Sequence, residues 1–242
     1  MNMPSRIELR DAKFEVEGKA ILHGLDLDIA APRIGIIGRN GSGKSTLARL
    51  LVGLVAPSSG DVRINGHDLA KDRRAALREV GILFQNPEHQ IIFPTVIEEI
   101  AFGVGQLGQS KTEAAENAKE ILARFGLSHW ENAYIASLSQ GQKHLVCLMA
   151  IVAMAPKLLI LDEPFAGLDI PTKAQLTRYL AHYEGSLVHI THDLADLEGY
   201  EQLIWIDQGN IKMTGARDDV IAAYLEAMHA LGGDDDLADL SR

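Results

Sequence analysis

A glycine-rich segment followed by a lysine and two hydroxyl side chains begins at residue 38. It matches the pattern G-x-x-x-x-G-K-[ST] at every fixed position and reads Gly38-Arg39-Asn40-Gly41-Ser42-Gly43-Lys44-Ser45-Thr46. In such a loop the glycines let backbone N–H groups wrap a β-phosphate, and the following helix points the positive end of its dipole at the anion. Lys44 is expected to reach the β- and γ-phosphates, and the Ser45 hydroxyl to bind Mg²⁺. The segment predicts a nucleotide site, and a glycine-rich turn that binds nothing is the alternative.

Asp162 and Glu163 form an acidic pair directly after the apolar run Leu158-Leu159-Ile160-Leu161. A strand followed by a polar turn would explain a lone pair of this kind, but the phosphate-binding loop upstream makes that explanation weaker. Asp162 is predicted to hold Mg²⁺ through water. Glu163 is one residue further, so its side chain points elsewhere and is predicted to polarise the attacking water. The loop and the acidic pair together predict hydrolysis of a nucleoside triphosphate.

The pattern of apolar residues predicts the elements that hold these motifs. Leu47, Leu50, Leu51 and Leu54 share one face of a helix predicted over residues 44–54. Asn65-Gly66 predicts a hairpin turn. Strands are predicted, in chain order, at residues 33–37, 80–84, 158–161, 187–190 and 203–206. Alternation of strands and helices indicates a parallel sheet with helices on both faces.

The segment between residues 95 and 154 has helical spacing, with an apolar helix predicted after Ser139. Near the amino terminus, apolar and polar residues alternate around Ile7 and Leu27, which indicates half-buried strands. The predicted fold class is therefore α/β: a P-loop NTPase (RecA-like) parallel-sheet core with an antiparallel β subdomain and a nested α-helical subdomain. The predicted domains are a core of residues 1–86 and 157–230, a helical subdomain of residues 87–156, and an acidic tail of residues 231–242.

Composition narrows the class of partners. Apolar residues make up 47% of the sequence, which is enough for a packed core, and the formal net charge of −10 matches nucleic acid poorly.

A single cysteine, Cys147, excludes an intramolecular disulfide and indicates a reducing compartment. The first residues lack the apolar segment of a signal peptide, and the longest apolar run, residues 145–155, is shorter than the ~20 residues of a membrane helix. Any membrane role is expected to be that of a peripheral subunit.

The segment that opens the predicted apolar helix is similar to the signature motif of ABC ATPases, Leu-Ser-Gly-Gly-Gln, and reads Leu138-Ser139-Gln140-Gly141-Gln142. The resemblance implies the ABC ATPase fold, ATP as the nucleotide, and a second ATPase subunit, with a homodimer favoured. Ser139, Gly141 and Gln142 would then close over the nucleotide held by the P-loop of the other subunit. The sequence departs from the motif at Gln140, where the family has glycine. Because Ser139 and Gly141 are retained, the γ-phosphate contact is expected to remain.

Further segments follow in the order that the same family has. Gln85 resembles the Q-loop glutamine, which reaches Mg²⁺ and the attacking water. Asp169 ends a segment that resembles the D-loop, which contacts the partner subunit. His192 resembles the switch histidine that contacts the γ-phosphate, and a structural histidine is the alternative. The resemblance gives the candidate catalytic residues Glu163, His192 and Gln85, and the candidate magnesium ligands Ser45, Gln85 and Asp162.

The sequence departs from the family at the residue that stacks on adenine. Family members place an aromatic residue about two dozen positions before the P-loop, but this sequence has Val16 there and Phe14 two residues earlier. Either Phe14 stacks on the base or the stacking is weak. The sequence therefore leaves a preference for ATP over GTP unexplained.

The segment over residues 84–103 is similar to that of the ATPases of energy-coupling-factor transporters, which read F-Q-N-P-x-x-Q, an aromatic residue, P-T-V and an acidic pair. In that family it faces a groove for coupling helices. The resemblance implies a transmembrane coupling subunit and a substrate-binding membrane subunit as partners, and a place at the cytoplasmic face of the cell membrane. Gln90, Phe93 and Glu98 are expected to line the groove, with Glu98 or Glu99 pairing with a basic residue of the partner.

Among these transporters, the sequence is most similar to the ATPase of a biotin-uptake module, both in Cys147-Leu148-Met149 and in ending soon after a predicted helix over residues 216–231. The implied function is the ATP-hydrolysing motor of a vitamin importer. Importers of cobalt, nickel or another vitamin are the main alternative. A non-transport ABC ATPase acting on nucleic acid is a weaker alternative, because the sequence has neither a long coiled-coil insertion nor a basic character.

Overall fold

The computed structural model describes residues 3–232, which form two sheets and the helices around them. The strands are β1 (Arg6–Val16), β2 (Lys19–Ala30), β3 (Arg33–Ile37), β4 (Ser59–Ile64), β5 (Val80–Leu83), β6 (Leu158–Asp162), β7 (Ser186–Ile190), β8 (Gln202–Asp207) and β9 (Asn210–Ala216). The helices are α1 (Lys44–Leu51), α2 (Arg73–Glu79), α3 (Val96–Gln106), α4 (Lys111–Arg124), α5 (Gln140–Ala153), α6 (Ile170–Ala181) and α7 (Arg217–Gly232).

The smaller sheet is antiparallel, with strand order β2-β1-β4. Ile7 pairs with Ile29 on one side and with Ile64 on the other. Ile7 and Leu9 point inward and are almost fully buried, in the alternating pattern that a sheet with one wet face requires. They share a hydrophobic core with the apolar face of α1, so this sheet packs against the helix that follows the glycine-rich segment.

The larger sheet has strand order β5-β6-β7-β3-β8-β9, and its strands are parallel except for β9, which is antiparallel to β8. Every residue of β6 and β7 is buried, as expected for central strands covered on both faces. Because the parallel strands point the same way, the residues that follow β3, β6 and β7 lie at one edge of the sheet. These residues are the glycine-rich loop, Glu163 and the segment with His192.

Helices α3, α4 and α5 follow one another between β5 and β6 and pack into a second hydrophobic core, in which Ile100, Leu122 and Val146 are fully buried. A capping box at Ser110 and Glu113 begins α4. These three helices lie within residues 87–156, which we propose as the helical subdomain. Of the predicted acidic tail, residues 233–242 lie outside the described residues, and the first two residues belong to the end of α7.

Two predicted elements are too long: the strand predicted over residues 80–84 ends one residue earlier, and the helix predicted over residues 44–54 ends three residues earlier. Helix α1 ends at Leu51 rather than at residue 54, because Gly53 has a φ of +71° and turns the chain away. Leu54 is consequently 58% exposed and does not share the buried face of Leu47 and Leu51. Asn65 and Gly66 do form a turn, closed by an isolated bridge between Ile64 and His67. Within the described part of the chain, no helix is long and apolar enough to cross a membrane.

Candidate functional site

The glycine-rich loop joins the end of β3 to the start of α1. Gly38 has a φ of +152°, and a Cβ added there would lie 2.0 Å from the carbonyl oxygen of Ile206. Gly43 has a φ of +103° at the N-cap of α1, and a Cβ there would lie 2.7 Å from Leu22. Side chains are therefore excluded at both positions by backbone conformation and by close packing. The backbone N–H groups at the start of α1 are left for an anion.

Lys44 is held at the centre of this loop. Its ammonium donates to the carbonyl oxygens of Gly38 and Arg39 at 2.8 and 2.9 Å, and the residue is only 7% exposed. Burial lowers the pKa of the Lys44 ammonium, while the carboxylates of Glu163 and Asp162 act in the opposite direction. A buried cation in a loop of backbone N–H groups suits a polyphosphate.

The rest of the loop also fits a phosphate group. The Ser42 hydroxyl is buried and has no hydrogen-bond partner among residues 3–232, although a buried hydroxyl normally has one. Arg39, Asn40 and Gly41 are exposed at the tip, whereas Thr46 is half-buried on α1. The loop therefore offers both an orphaned hydroxyl and accessible backbone.

Ser45 and Asp162 meet across the edge of the sheet. The Ser45 hydroxyl donates to Asp162 Oδ1 at 3.1 Å, and Asp162 is 6% exposed at the end of β6. Burial raises the pKa of the Asp162 carboxyl; the hydrogen bond from Ser45 opposes this, and the neighbouring Glu163 charge adds to it. A hydroxyl beside a carboxylate is a pair of oxygen ligands that suits Mg²⁺.

The Asp162 environment gives a stability prediction. Because burial raises the folded-state pKa above the unfolded one, the carboxyl loses stabilising free energy as the pH rises through its folded-state pKa. We expect Asp162→Asn to raise the melting temperature of the nucleotide-free chain at neutral pH by about 2–4 °C, the shift that ~1 kcal/mol gives a chain of this size. The gain should be smaller at pH 4.5 than at pH 8. Differential scanning calorimetry at both pH values checks this, and a lower melting temperature for Asp162→Asn at pH 8 would contradict it.

Glu163 and His192 form a second pair at the same edge. His192 Nδ1 and Glu163 Oε2 are 2.8 Å apart, although the residues are 29 positions apart in sequence. They meet because β6 and β7 are neighbours, and the Glu163 amide donates to the carbonyl oxygen of Ile190. Glu163 has a φ of +52°, an uncommon conformation for glutamate that costs about 1–3 kcal/mol. Its side chain is 13% exposed, against 66% for His192, so solvent reaches the pair from the histidine side.

The segment that resembles the signature motif forms the N-terminus of α5. Ser139 is the N-cap: its hydroxyl accepts from the Gln142 amide, and its own amide donates to Gln142 Oε1 at 2.8 Å. This reciprocal capping box gives Gln142 a structural task that the S-x-x-Q spacing could have revealed. Gln140 is exposed at the first helical position without a positive φ, so the backbone does not require glycine there.

The neighbouring helix α6 leaves little room for a side chain at Gly141. A Cβ at Gly141 would lie 3.2 Å from Thr172 and 3.7 Å from Leu168, close to the start of α6. Asp169 caps that helix by accepting from the Thr172 amide at 2.9 Å, and hydrogen bonding from the side chain and then the amide of Thr172 lowers the pKa of Asp169. The start of α5 and the start of α6 therefore lie side by side.

The structure thus divides the candidate residues into two groups. Lys44, Ser45, Asp162, Glu163 and His192 converge at one edge of the sheet. The other group consists of Gln85, which is exposed two residues beyond β5, and of the exposed N-caps Ser139 and Asp169. Within residues 3–232, the hydrogen bonds of this second group connect it with none of the first.

The two residues considered for adenine stacking differ in their surroundings. Val16 is 48% exposed at the end of β1, while Phe14 packs against the core beneath the antiparallel sheet. Leu22 of β2 contacts the position of Gly43, so this sheet flanks the phosphate loop. Val16 is consequently the more accessible of the two for contact with a base.

One expectation about the segment over residues 84–103 is wrong. Glu99 is 6% exposed, and its Oε2 accepts from the amides of Ile92 and Phe93 at 2.9 and 2.8 Å. It therefore shapes the loop and is not available to pair with a basic residue of a partner. Glu98 is exposed and accepts from the Thr95 hydroxyl, so it remains available.

Comparisons with known proteins bear on this site. The protein-family profile described as ABC transporter matches residues 22–166. The biotin transport ATP-binding protein BioM of Rhodobacter capsulatus is 44% identical over 93% of this chain and 96% of its own length. The energy-coupling factor transporter ATP-binding protein EcfA of Methanothermobacter thermautotrophicus is 38% identical over 83% of this chain and 67% of its own. The solved structure of cbiO1 from Clostridium perfringens, part of the ABC transporter complex cbiONQ, superposes with a TM-score of 0.74 at 26% identity over 92% of each chain.

Proposed function

The chain belongs to the ATP-hydrolysing ABC transporter family, and from this membership we propose that it is the motor subunit of an energy-coupling-factor importer for a vitamin, with biotin as the substrate. The observation that carries the motor function is the convergence of Lys44, Ser45, Asp162 and Glu163 at one edge of the parallel sheet. Biotin is supported by the 44% identity to a biotin transport ATP-binding protein.

We propose the following roles in hydrolysis, which combine the geometry of the chain with its resemblance to ABC ATPases. The loop over residues 38–46 wraps the phosphates of ATP, and Lys44 exchanges its two carbonyl acceptors for β- and γ-phosphate oxygens. Ser45 and Asp162, with Gln85, would hold Mg²⁺, which when bound neutralises charge on the phosphates. Glu163 orients a water molecule and accepts its proton. His192 holds the Glu163 carboxylate through Nδ1 and contacts the γ-phosphate with the other side of its ring.

The separation of Ser139 and Asp169 from the residues at the phosphate loop supports a site built from two chains. Ser139 and Gln142 lie at a helix start that suits an anion, yet within the described chain their side-chain hydrogen bonds go only to each other. We propose that Ser139, Gly141 and Gln142 close on the nucleotide of a second copy. Asp169 contacts that copy beside Ile170, a large apolar residue that is 86% exposed.

The membrane partners are proposed to dock on α3 and the loop before it. Ile92 is 68% exposed and Phe102 is 39% exposed, and the rings of Phe93 and Phe102 lie 5.0 Å apart. An apolar surface with the exposed carboxylate of Glu98 at its side suits an amphipathic helix that carries a basic residue. The transmembrane coupling subunit would supply this helix, and a membrane-embedded substrate-binding subunit would hold the vitamin. The chain would thus work as a peripheral subunit at the cytoplasmic face of the cell membrane.

Glu98 tests this docking surface. We expect Glu98→Lys to reduce solute uptake several-fold, because a like charge would face the basic residue of the docked helix. ATP binding to the isolated chain should remain unchanged. Its melting temperature should fall by no more than about 2–4 °C, since the exposed Glu98 loses only its hydrogen bond with Thr95 and its place in the first turn of α3. The matched control is Glu116→Lys, which reverses an exposed carboxylate on α4. Uptake is measured with membrane vesicles, and normal uptake by the Glu98→Lys complex would place the coupling surface elsewhere.

In contrast to Glu98→Lys, Glu99→Lys should clearly destabilise the folded chain. It leaves two loop amides without their acceptor and places a charge at a buried position, which costs about 1–3 kcal/mol or more. A melting temperature that falls clearly further for Glu99→Lys than for Glu98→Lys is the expected contrast. Equal melting temperatures would contradict the structural role of Glu99.

The substrate is tested through the partners. The tagged chain should co-purify from membranes with two integral membrane proteins, and the complex should bind radiolabelled biotin. A complex that binds cobalt, nickel or another vitamin instead would replace biotin and leave the motor function intact. Recovery of the chain with nucleic acid and without a membrane protein would contradict the proposed transporter function.

A further inference from the structure

A cluster of ion pairs outside the phosphate loop connects α6 with the segment that carries His192. Lys173 Nζ lies 2.5 Å from Asp196 Oδ1 and 3.7 Å from Asp193 Oδ2. Asp193 directly follows His192, and Asp196 belongs to the short 3-10 helix Leu194–Leu197. One lysine on α6 thus holds the chain immediately after the histidine.

The same cluster also holds the chain before the histidine. The Asp196 side chain is only 7% exposed, and its second oxygen accepts from the Thr191 hydroxyl at 3.4 Å. The Thr191 oxygen in turn accepts from the Asp193 amide at 3.0 Å. The residues on both sides of His192 are therefore tied to one carboxylate, and that carboxylate is neutralised by Lys173.

The surroundings of Lys173 favour this single arrangement. Its ammonium lies 5.1 Å from the ring centroid of Phe165, two residues after Glu163, and Phe165 packs edge-on against His189. The bond to Asp196 raises the pKa of Lys173, so the lysine stays charged. Burial lowers the pKa of His189 to about 3, with Lys173 as a smaller cause, so His189 stays neutral beside Phe165.

Lys173 is also tied to the start of α6. Its amide donates to the carbonyl oxygen of Asp169 at 2.9 Å, which makes the two residues ends of the same helical turn. Asp169 is the residue that we propose contacts a second copy of the chain. If docking of the second copy displaces the first turn of α6, the Lys173 side chain would transmit that displacement to the segment that carries His192.

We propose that Lys173 is a positioning residue for ATP hydrolysis, which holds the segment over residues 191–196 on the first turn of α6 so that His192 stays on Glu163. This inference rests on the proposed hydrolytic site. A surface ion pair without a function is the competing explanation, and the structure offers one for comparison. Lys119 is 43% exposed and pairs with Glu116 and Glu131 in the helical region, whereas Lys173 is 39% exposed.

The test uses Lys173→Met, which keeps most of the aliphatic stem, together with Lys173→Arg and the matched control Lys119→Met. We expect Lys173→Met in the assembled complex to lower kcat for ATP hydrolysis by about tenfold or more, since small misplacements of a catalytic group cost that much. The KM for ATP should change by less than about twofold. The melting temperature should change by no more than about 2–4 °C. Lys173→Arg should recover most of the rate, and Lys119→Met should match the wild type. A Lys173→Met rate equal to that of the control would overturn the proposal.

A second measurement separates positioning from a general loss of structure. In a His192→Ala background, single-turnover hydrolysis should be no slower with Lys173→Met than without it, because Lys173 acts through His192. The same fold loss in both backgrounds would overturn the positioning role while leaving the hydrolytic site intact. Absence of ATP hydrolysis by the wild-type complex would instead contradict the proposed function itself.

Discussion

Replacement of Glu163 by glutamine is expected to leave ATP binding intact and to reduce turnover by about 10²-fold or more. The substitution keeps the size of the side chain and removes its ability to accept a proton from water. Glu163 lies one residue past the proposed magnesium ligand Asp162 and is held by His192 at 2.8 Å. Glutamine can still form a hydrogen bond with His192, so the loss should appear in kcat rather than in KM.

The measurement is steady-state phosphate release by the assembled complex, with nucleotide affinity determined separately on the same sample. Glu201→Gln is a suitable control, because it makes the same chemical change at an exposed glutamate directly before β8. Wild-type turnover by Glu163→Gln would show that another group activates the water. Loss of nucleotide binding would show that Glu163 acts in binding rather than in the chemical step.

The second large effect concerns the sharing of one site by two chains. Lys44→Ala removes the cation of the phosphate loop, and Ser139→Arg blocks the helix start that is proposed to close over the neighbouring nucleotide. Dimers made of either variant alone should have no complete site and should hydrolyse ATP at about 1% of the wild-type rate or less. A mixed dimer should have one complete site, because its intact P-loop faces an intact signature segment.

Mixed dimers can be isolated by placing a different affinity tag on each variant and purifying twice. Their hydrolysis rate is expected to reach at most about half of the wild-type rate, since one of two equivalent sites is restored. Each variant should still melt cooperatively, within several degrees of the wild type, because the loss of a helix cap or of one loop contact costs about 1–2 kcal/mol. If the mixed dimer hydrolyses ATP no faster than the single-variant dimers, the site is not shared between chains. Full activity of a monomer would contradict a shared site as well.

The phosphate loop could be predicted because its chemistry is contiguous in sequence. A side chain at Gly38 would clash with Ile206, and one at Gly43 would clash with Leu22. The fold therefore requires glycine at these two positions of the motif. The strand with Asp162 at its tip could be predicted for a similar reason, because central strands read as unbroken apolar runs. The α/β fold class follows from these alternating elements and agrees with the solved relatives.

Contacts that depend on strand order could not be predicted from local patterns. Glu163 and His192 meet only because β6 and β7 are adjacent in the sheet, which the sequence does not record. Glu98 and Glu99 look alike in sequence, but one helical step of about 100° buries Glu99 beneath the loop that it holds. The pairing of Lys173 with Asp196 is hidden in the same way, because it joins a helix to a turn 23 residues later.

The central claim is that hydrolysis at this site drives uptake of a solute through membrane partners. It is tested most directly by ATP-dependent accumulation of radiolabelled biotin in proteoliposomes that contain the co-purified complex with ATP on the side of this subunit. The wild-type complex is expected to accumulate biotin only with hydrolysable ATP, and the Glu163→Gln complex to bind ATP without accumulating biotin. Equal accumulation by both complexes, or accumulation by the wild type without ATP, would contradict the claim.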